Sequence, residues 1–478
     1  MNRLLFSLFA LCALLYGSIA VNAVKLPDII GDNMVLQQQS NAKLWGWGKP
    51  GTTVKVKTSW DNNKYTAKVD DKGKWNLFVV TPKASFIEQT ITISDFNNRL
   101  TLKNVLIGEV WLCSGQSNME MPLRGYWTQP IDGSSQTIAY SGQYKGIRMV
   151  TIAKHGSPVP EDSVKGKWKM SCPENAPEFS AVGFYFAETL TKILNVPIGI
   201  INCSWAGSTV EGWMSKERLE KYADVDLAQV TSTNVSGMFE PMIMYNGQLH
   251  PIIGYSVKGI VWNQGESNVK HYKDYVERLA DMVNEWRKEW GEGNIPFYMV
   301  EIPPYIYSGV DNTEAARLRE AQHKAAKFIQ NCGIICTSDL MKAFEVHDIH
   351  GSQKQPIGEC LGFMAAARTY GIKGIDCNSP EFEEMKVEGK TAILHFKNAY
   401  YGLTPNRDLK GFEVAGSDSV FHAAQVEEPN ARDIKLTCND VDKIVAVRYC
   451  FKNWAMGNIH NMRWLPLVPF RTDNWNDK

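Results

Sequence analysis

The sequence predicts an α/β protein in which a doubly wound, parallel-sheet domain is flanked on both sides by antiparallel β domains. Three patterns predict it. In the middle of the chain, near-continuous apolar runs alternate with amphipathic helices, the pattern of a parallel sheet covered on both faces. Before and after that stretch the residues instead alternate apolar and polar at period two, with turn clusters between the runs, as in antiparallel sheets. The resulting division is 24–103 for an N-terminal β-sandwich, 104–376 for the α/β domain and 377–478 for a C-terminal β region, with a leader over 1–23.

The elements follow in order. Arg3 precedes an apolar run from Leu4 to Tyr16, and small residues end at Val21-Asn22-Ala23, the layout of a secretory signal cleaved after Ala20 or Ala23. The run is too short to span a bilayer, so the expected product is soluble and secreted or periplasmic, without membrane insertion. Thr53–Thr58 and Trp75–Val80 alternate cleanly and are bounded by Lys49-Pro50-Gly51 and Asp70-Asp71-Lys72-Gly73, as short sandwich strands are. The apolar strands of the α/β domain are Val105 to Leu112, Ile198 to Ser204, Val257 to Asn263, Pro296 to Glu301 and Gly333 to Thr337. One covering helix carries Tyr272, Tyr275, Leu279, Met282, Val283, Trp286 and Trp290 on a single face and stops at Gly291. A second carries Ala315, Leu318, Ala321, Ala325 and Phe328, and a third runs from about Ile357 to Tyr370. Alternation returns in Lys390–Phe396 and Lys443–Tyr449.

Composition excludes several classes of function. Formal charge is +0, so neither the basic stripe that a phosphate backbone needs nor a polybasic membrane face is present, and nucleic acid is not expected as a partner. Of the 10 cysteines, Cys12 leaves with the leader and an odd number remain, scattered from Cys113 to Cys450, which is no disulfide framework. Cys332 and Cys336 lie on one strand, too far apart to bridge, whereas Cys438 and Cys450 are spaced to join neighbouring strands. Histidines are dispersed and no paired ligand spacing or glycine-rich phosphate loop occurs, so neither a metal nor a cofactor is expected.

In an open α/β sheet the ligand site lies beyond the carboxyl ends of the strands. There the sequence is polar: Ser114-Gly-Gln-Ser-Asn-Met119, Trp205-Ala-Gly-Ser-Thr209, Gln264-Gly-Glu-Ser-Asn268, then Asp339 and His347-Asp-Ile-His350. A serine, glycines that expose backbone N–H groups, an amide and a histidine beside an acid supply a nucleophile, oxyanion donors, a base and an orienter, which is the equipment for acyl transfer. Taken alone, Ser117 also suits a helix cap, Gly207 a tight turn and Gln264 a turn-bracing amide.

Gly115-Gln116-Ser117-Asn118-Met119, Trp262-Asn-Gln-Gly-Glu-Ser-Asn268 and Asp348-Ile349-His350 together resemble the blocks of the sialate O-acetylesterase family within the SGNH (GDSL-like) hydrolases, and the resemblance extends over most of the mature chain. It implies a secreted serine esterase that removes O-acetyl groups from sugars, sialic acid foremost, with an SGNH hydrolase fold in the α/β domain. Ser117 is then the nucleophile and His350 the base. The N–H groups of Ser117 and Gly207 and the Gln264 amide form the oxyanion hole. Gly351 stands where the family commonly has proline. Many SGNH enzymes place the acid three residues before the histidine, where this chain has His347. Asp348 is therefore the expected acid, with Asp339 and Glu266 as alternatives. Arg124, Arg319 and Glu266 are candidate substrate-binding residues, an arginine fork suiting a sugar carboxylate. Trp111, Trp127, Trp205 and Trp213 suit either stacking on sugar faces or a core. An acetylesterase acting on plant polysaccharide such as acetylated xylan, and a carbohydrate-binding protein without catalysis, are the competing readings.

Overall fold

The computed structural model describes residues 24–475 except 97, 229, 231–236 and 431, so the leader expected over 1–23 lies outside the described residues. The central sheet is built on one long strand, β1 (Arg99–Gly115), whose second half is wholly buried. The strands β2 (Ile147–Thr151), β3 (Ile198–Ser204), β4 (Gly259–Asn263), β5 (Phe297–Val300) and β6 (Cys332–Ile335) join it in the order β6-β5-β4-β1-β3-β2, all parallel. A short antiparallel strand, Lys169–Met170, closes the β2 edge.

Alternate residues of these strands face opposite layers. Leu112, Ile201, Ile260, Trp262, Phe297 and Met299 pack with helices α2 (Tyr275–Trp290) and α3 (Glu314–Phe328). Trp111, Cys113, Ile200, Val261 and Tyr298 pack with α1 (Ala181–Leu194) and α4 (Lys354–Arg368). Because both faces are covered, the strands are mostly apolar along their buried lengths and the architecture is a doubly wound α/β one. Gly291, at φ 70°, stops α2 as the sequence predicts, its N–H returning to Arg287 O. Helix α1 and strand β2 were not expected. The helix is apolar on nearly all sides, with Phe184, Tyr185 and Phe186 all buried, so it shows no single-faced period. The strand hides a buried arginine, Arg148, whose guanidinium donates to Lys145 O and Asn104 Oδ1.

Before the central sheet, Asn41–Trp47 pairs with Lys74–Val80 in one layer. Thr53–Thr58, Lys64–Lys68 and Ser85–Ser94 form the facing layer, which continues directly into β1. Both layers share a core with one face of the central sheet, so the boundary expected at 103/104 falls inside a continuous strand and a continuous core. The C-terminal region has a core of its own, built from two four-stranded antiparallel sheets and a short ladder. All nine cysteines of the described residues are free thiols, Cys438 and Cys450 included.

Helices α1 and α4 meet at Gly358, where a β-carbon would stand 2.5 Å from Tyr185 Cβ and 2.7 Å from the Phe186 nitrogen. The variant Gly358→Val must part the two helices, and overpacking of this kind costs roughly 1–3 kcal/mol. A urea midpoint equal to that of the wild type would show that the layer is looser than this.

Candidate active site

Strand order reverses around β1, whose neighbours are β3 on one side and β4 on the other. At such a switch point the carboxyl ends of adjacent strands open into a crevice. Parallel register sets Gly115 beside Ser204 and beside Asn263, so the three polar loops leave the sheet at one level. Gly115 has φ +130°, and a β-carbon there would lie 2.1 Å from Asn263 O, so only glycine lets the chain turn into the serine loop at this point.

Ser117 opens a single helical turn, Ser117–Glu120, and is 7% exposed. Its two neighbours fasten the loop. The Gln116 Oε1 accepts from the N–H groups of Gly265 at 3.2 Å and Ser267 at 3.4 Å, while Gln116 N–H donates to Asn263 O. The Asn118 amide donates to Glu266 Oε1 at 2.5 Å and to Ile349 O at 3.1 Å, and accepts from Lys354 Nζ at 2.6 Å. The Ser267 hydroxyl donates to Gly207 O at 2.9 Å, which ties in the β3 loop, where Gly207 has φ +76°. Neither the Ser117 nor the Gly207 N–H has a hydrogen-bond partner among the described residues.

His350 meets the serine loop through Tyr126, whose ring stands edge-on to the imidazole at 5.1 Å and whose hydroxyl donates to Ser117 O at 3.3 Å. His350 Nδ1 lies 2.8 Å from Gln129 Oε1. The Gln129 amide nitrogen donates to Asp348 Oδ1 at 3.4 Å, which orients the amide and makes its oxygen the atom facing the ring. A carbonyl oxygen only accepts, so Nδ1 carries the proton. Nε2, buried and without a partner, presents a lone pair. Burial, reinforced by the nearby Lys354 charge, pushes the His350 pKa down to about 4, against a smaller opposing pull from Asp348. Lys354 itself is lowered to about 8 by burial, and burial raises the Glu266 carboxyl.

Several expectations need correction. Asp348 does not touch His350; the group on Nδ1 is Gln129, and Asp348 stands behind it. Asp339 is engaged elsewhere, accepting at 2.8 Å from His460 of the C-terminal region, and Glu266 binds Asn118. His347 is exposed on the preceding turn. Gln264 is wholly buried and directs its amide nitrogen to Ser208 O at 3.0 Å and Asn268 Oδ1 at 2.7 Å, leaving no hydrogen for an oxyanion. It acts as a brace between the β3 and β4 loops. Arg319 is 1% exposed and donates to Lys452 O, so it fastens α3 to the C-terminal region and cannot meet a sugar carboxylate. Arg124 sits at the surface, its Nε donating to Glu178 at 2.7 Å. Trp111 and Trp213 are fully buried and Trp205 nearly so; Trp127 alone of that set is open. Gln129, Tyr126 and Lys354 were not anticipated, and no local sequence pattern marks them. Among the described residues no group of three or more His, Cys, Asp and Glu side chains is placed to hold a metal ion, and no helix is long and apolar enough to cross a membrane.

A serine, a histidine with an open Nε2 and unpaired backbone N–H groups at the switch point of a doubly wound sheet place the chain among the carboxylic ester hydrolases. The family model described as carbohydrate esterase, sialic acid-specific acetylesterase matches residues 107–365, more than half of the chain and all four loops, and the chain belongs to that family. Human sialate O-acetylesterase is 25% identical over 491 residues, which cover 93% of this chain and 92% of the human one. The mouse sialate O-acetylesterase is 24% identical over 513 residues, covering 93% and 94%. A solved carbohydrate acetylesterase from Xanthomonas citri superposes with a TM-score of 0.84 at 30% identity, over 95% of this chain and 100% of that one.

The Asn118 amide is the only bridge between the buried Lys354 ammonium and Glu266 carboxyl that these contacts provide. The substitution Asn118→Ala strands both groups, and losing a partner in a buried charged network costs roughly 3–5 kcal/mol. Chemical denaturation checks this, and a loss below about 1 kcal/mol would mean that water replaces the amide.

Proposed function

We propose that this carbohydrate esterase hydrolyses O-acetyl esters of sialic acid by an acyl-serine route, in the manner of the SGNH hydrolases. The observation that carries the reading is the unpartnered, buried Nε2 of His350, held as a lone-pair donor beside the Ser117 loop by the Gln129 contact on the other ring nitrogen. Ser117 Oγ attacks the acetyl carbonyl and its proton passes to His350 Nε2. The carbonyl oxygen becomes an oxyanion that the Ser117 and Gly207 N–H groups receive. Collapse breaks the bond to the sugar oxygen, which takes the proton from His350 and leaves as an alcohol. Water, deprotonated by the same nitrogen, then attacks the acyl-serine, releasing acetate and restoring the hydroxyl. Sialic acid as the sugar is supported by the family description and by the names of the mammalian relatives.

Replacing Ser117 with alanine lowers acetate release from mono-O-acetylated sialic acid by at least about a thousandfold, with the fold intact by circular dichroism. Retained activity would sink the mechanism. Turnover of acetylated xylan but not of the acetylated sialic acid would keep the mechanism and move the substrate.

The pH dependence follows from the His350 environment. A base held below its ordinary 6.5 stays neutral, and so competent, as pH falls, until about 4. The acidic limb of kcat/KM therefore lies near pH 4 to 5. Gln129→Glu places a carboxylate against Nδ1, favours the imidazolium and moves that limb upward by roughly one unit or more. A wild-type limb at 6.5, or a limb unmoved in the variant, contradicts the assignment.

A further inference from the structure

Tyr126 and Gln129 flank a tight turn. Tyr126 N–H donates to Gln129 O at 3.0 Å and Gln129 N–H to Tyr126 O at 3.2 Å, with Thr128 at φ 60°. The stem is rooted in the body of the domain: Leu123 N–H donates to Phe179 O, Arg124 N–H to Pro177 O, and Pro122 pairs with Ser180. Both side chains at the base of the turn touch His350, so the turn is fixed relative to the reacting atoms. At its tip stands Trp127, 91% exposed.

We infer that the Trp127 indole is the platform on which the sugar ring of the ester substrate rests; this inference builds on the sugar-ester reading given above. The indole, 91% exposed, offers a large apolar face that a ring stacked on it would take out of water. A rigid stem removes the backbone part of the entropic penalty of ordering a loop residue on binding. The occupant follows from the chemistry of the reaction. The acyl carbon has to sit within contact of Ser117 Oγ and the leaving oxygen within reach of His350 Nε2, and that single oxygen joins the acyl carbon to the sugar. The sugar therefore lies immediately outside the His350 imidazole, which is touched by Tyr126 and Gln129, one and two residues along the chain from Trp127. A pyranose carries one face of C–H groups, which matches an indole face, while its hydroxyls stay in solvent. Recognition by the ring rather than by the acetyl group makes Trp127 a specificity-determining residue.

The test compares two acetyl esters in wild type, Trp127→Ala and Trp127→Phe: the mono-O-acetylated sialic acid, and ethyl acetate, whose leaving group has no ring. The expected result is a KM for the sugar ester raised at least about tenfold in Trp127→Ala, with the ratio of kcat/KM for sugar ester over ethyl acetate falling by the same factor, and most of it restored in Trp127→Phe. An unchanged ratio overturns the platform. An equal loss on both esters also overturns it, because it assigns Trp127 to supporting the turn that holds His350. Wild type that cleaves ethyl acetate, loses that activity in Ser117→Ala and leaves every sugar ester untouched would instead overturn the sugar-ester reading, and the platform with it.

Discussion

A serine at the start of a short, buried turn keeps its position only if its neighbours are held, and in this protein the holding is done by the two amides on either side of Ser117. Gln116 reaches across to the backbone of the β4 loop, accepting from Gly265 and Ser267. Asn118 reaches the other way, to Glu266, to the backbone beside His350 and to Lys354 at the head of α4. Each amide satisfies buried polar groups that would otherwise cost about 1–3 kcal/mol apiece, so the serine loop, the β4 loop and the histidine loop cannot move independently. The position of the histidine in space is thus a consequence of what Asn118 needs.

The sheet sets this up. Parallel strands ending at one level put three loops side by side, and the reversal of order at β1 leaves room between two of them. Gly115 is the point at which sheet becomes site, since its backbone lies against Asn263 too closely for any side chain. Helix α4 closes the arrangement from below, its first turn delivering Lys354 to Asn118 while its later turns pack Leu361 and Met364 against the layer that α1 completes.

The parallel strands were legible because strands buried on both faces have little choice but to be apolar along their length. The serine, glycine and histidine loops were legible because polar runs at strand ends stand out against them. What escaped did so for identifiable reasons. Helix α1 buries nearly its whole circumference, and β2 carries Arg148, so neither shows the expected period or composition. Arg319 was expected to suit a sugar carboxylate, although it is buried at the seam with the C-terminal region, a tertiary circumstance that no local pattern encodes. The partner of His350 was sought among acids, Asp348 first, with Asp339 and Glu266 as alternatives. The partner found is an amide 221 residues away, reached only because the Tyr126–Gln129 turn folds back over the ring.

That amide changes the chemical character of the histidine. A carboxylate on Nδ1 would stabilise the imidazolium and raise its pKa, making a stronger base and a weaker acid. Gln129 fixes the tautomer equally well but adds no negative charge, and the positive Lys354 nearby opposes protonation further. His350 is consequently a weak base whose protonated form is a strong acid. In the proposed reaction the leaving group is a sugar alcohol, far more basic than a phenol, and collapse of the tetrahedral intermediate depends on delivering a proton to it. An imidazolium that gives up its proton readily favours that step, while the backbone N–H groups of Ser117 and Gly207 ease the attack that a weak base assists less. The division of labour assigned to these groups is therefore matched to an ester of an alcohol, and a neutral orienter is the residue that tilts it.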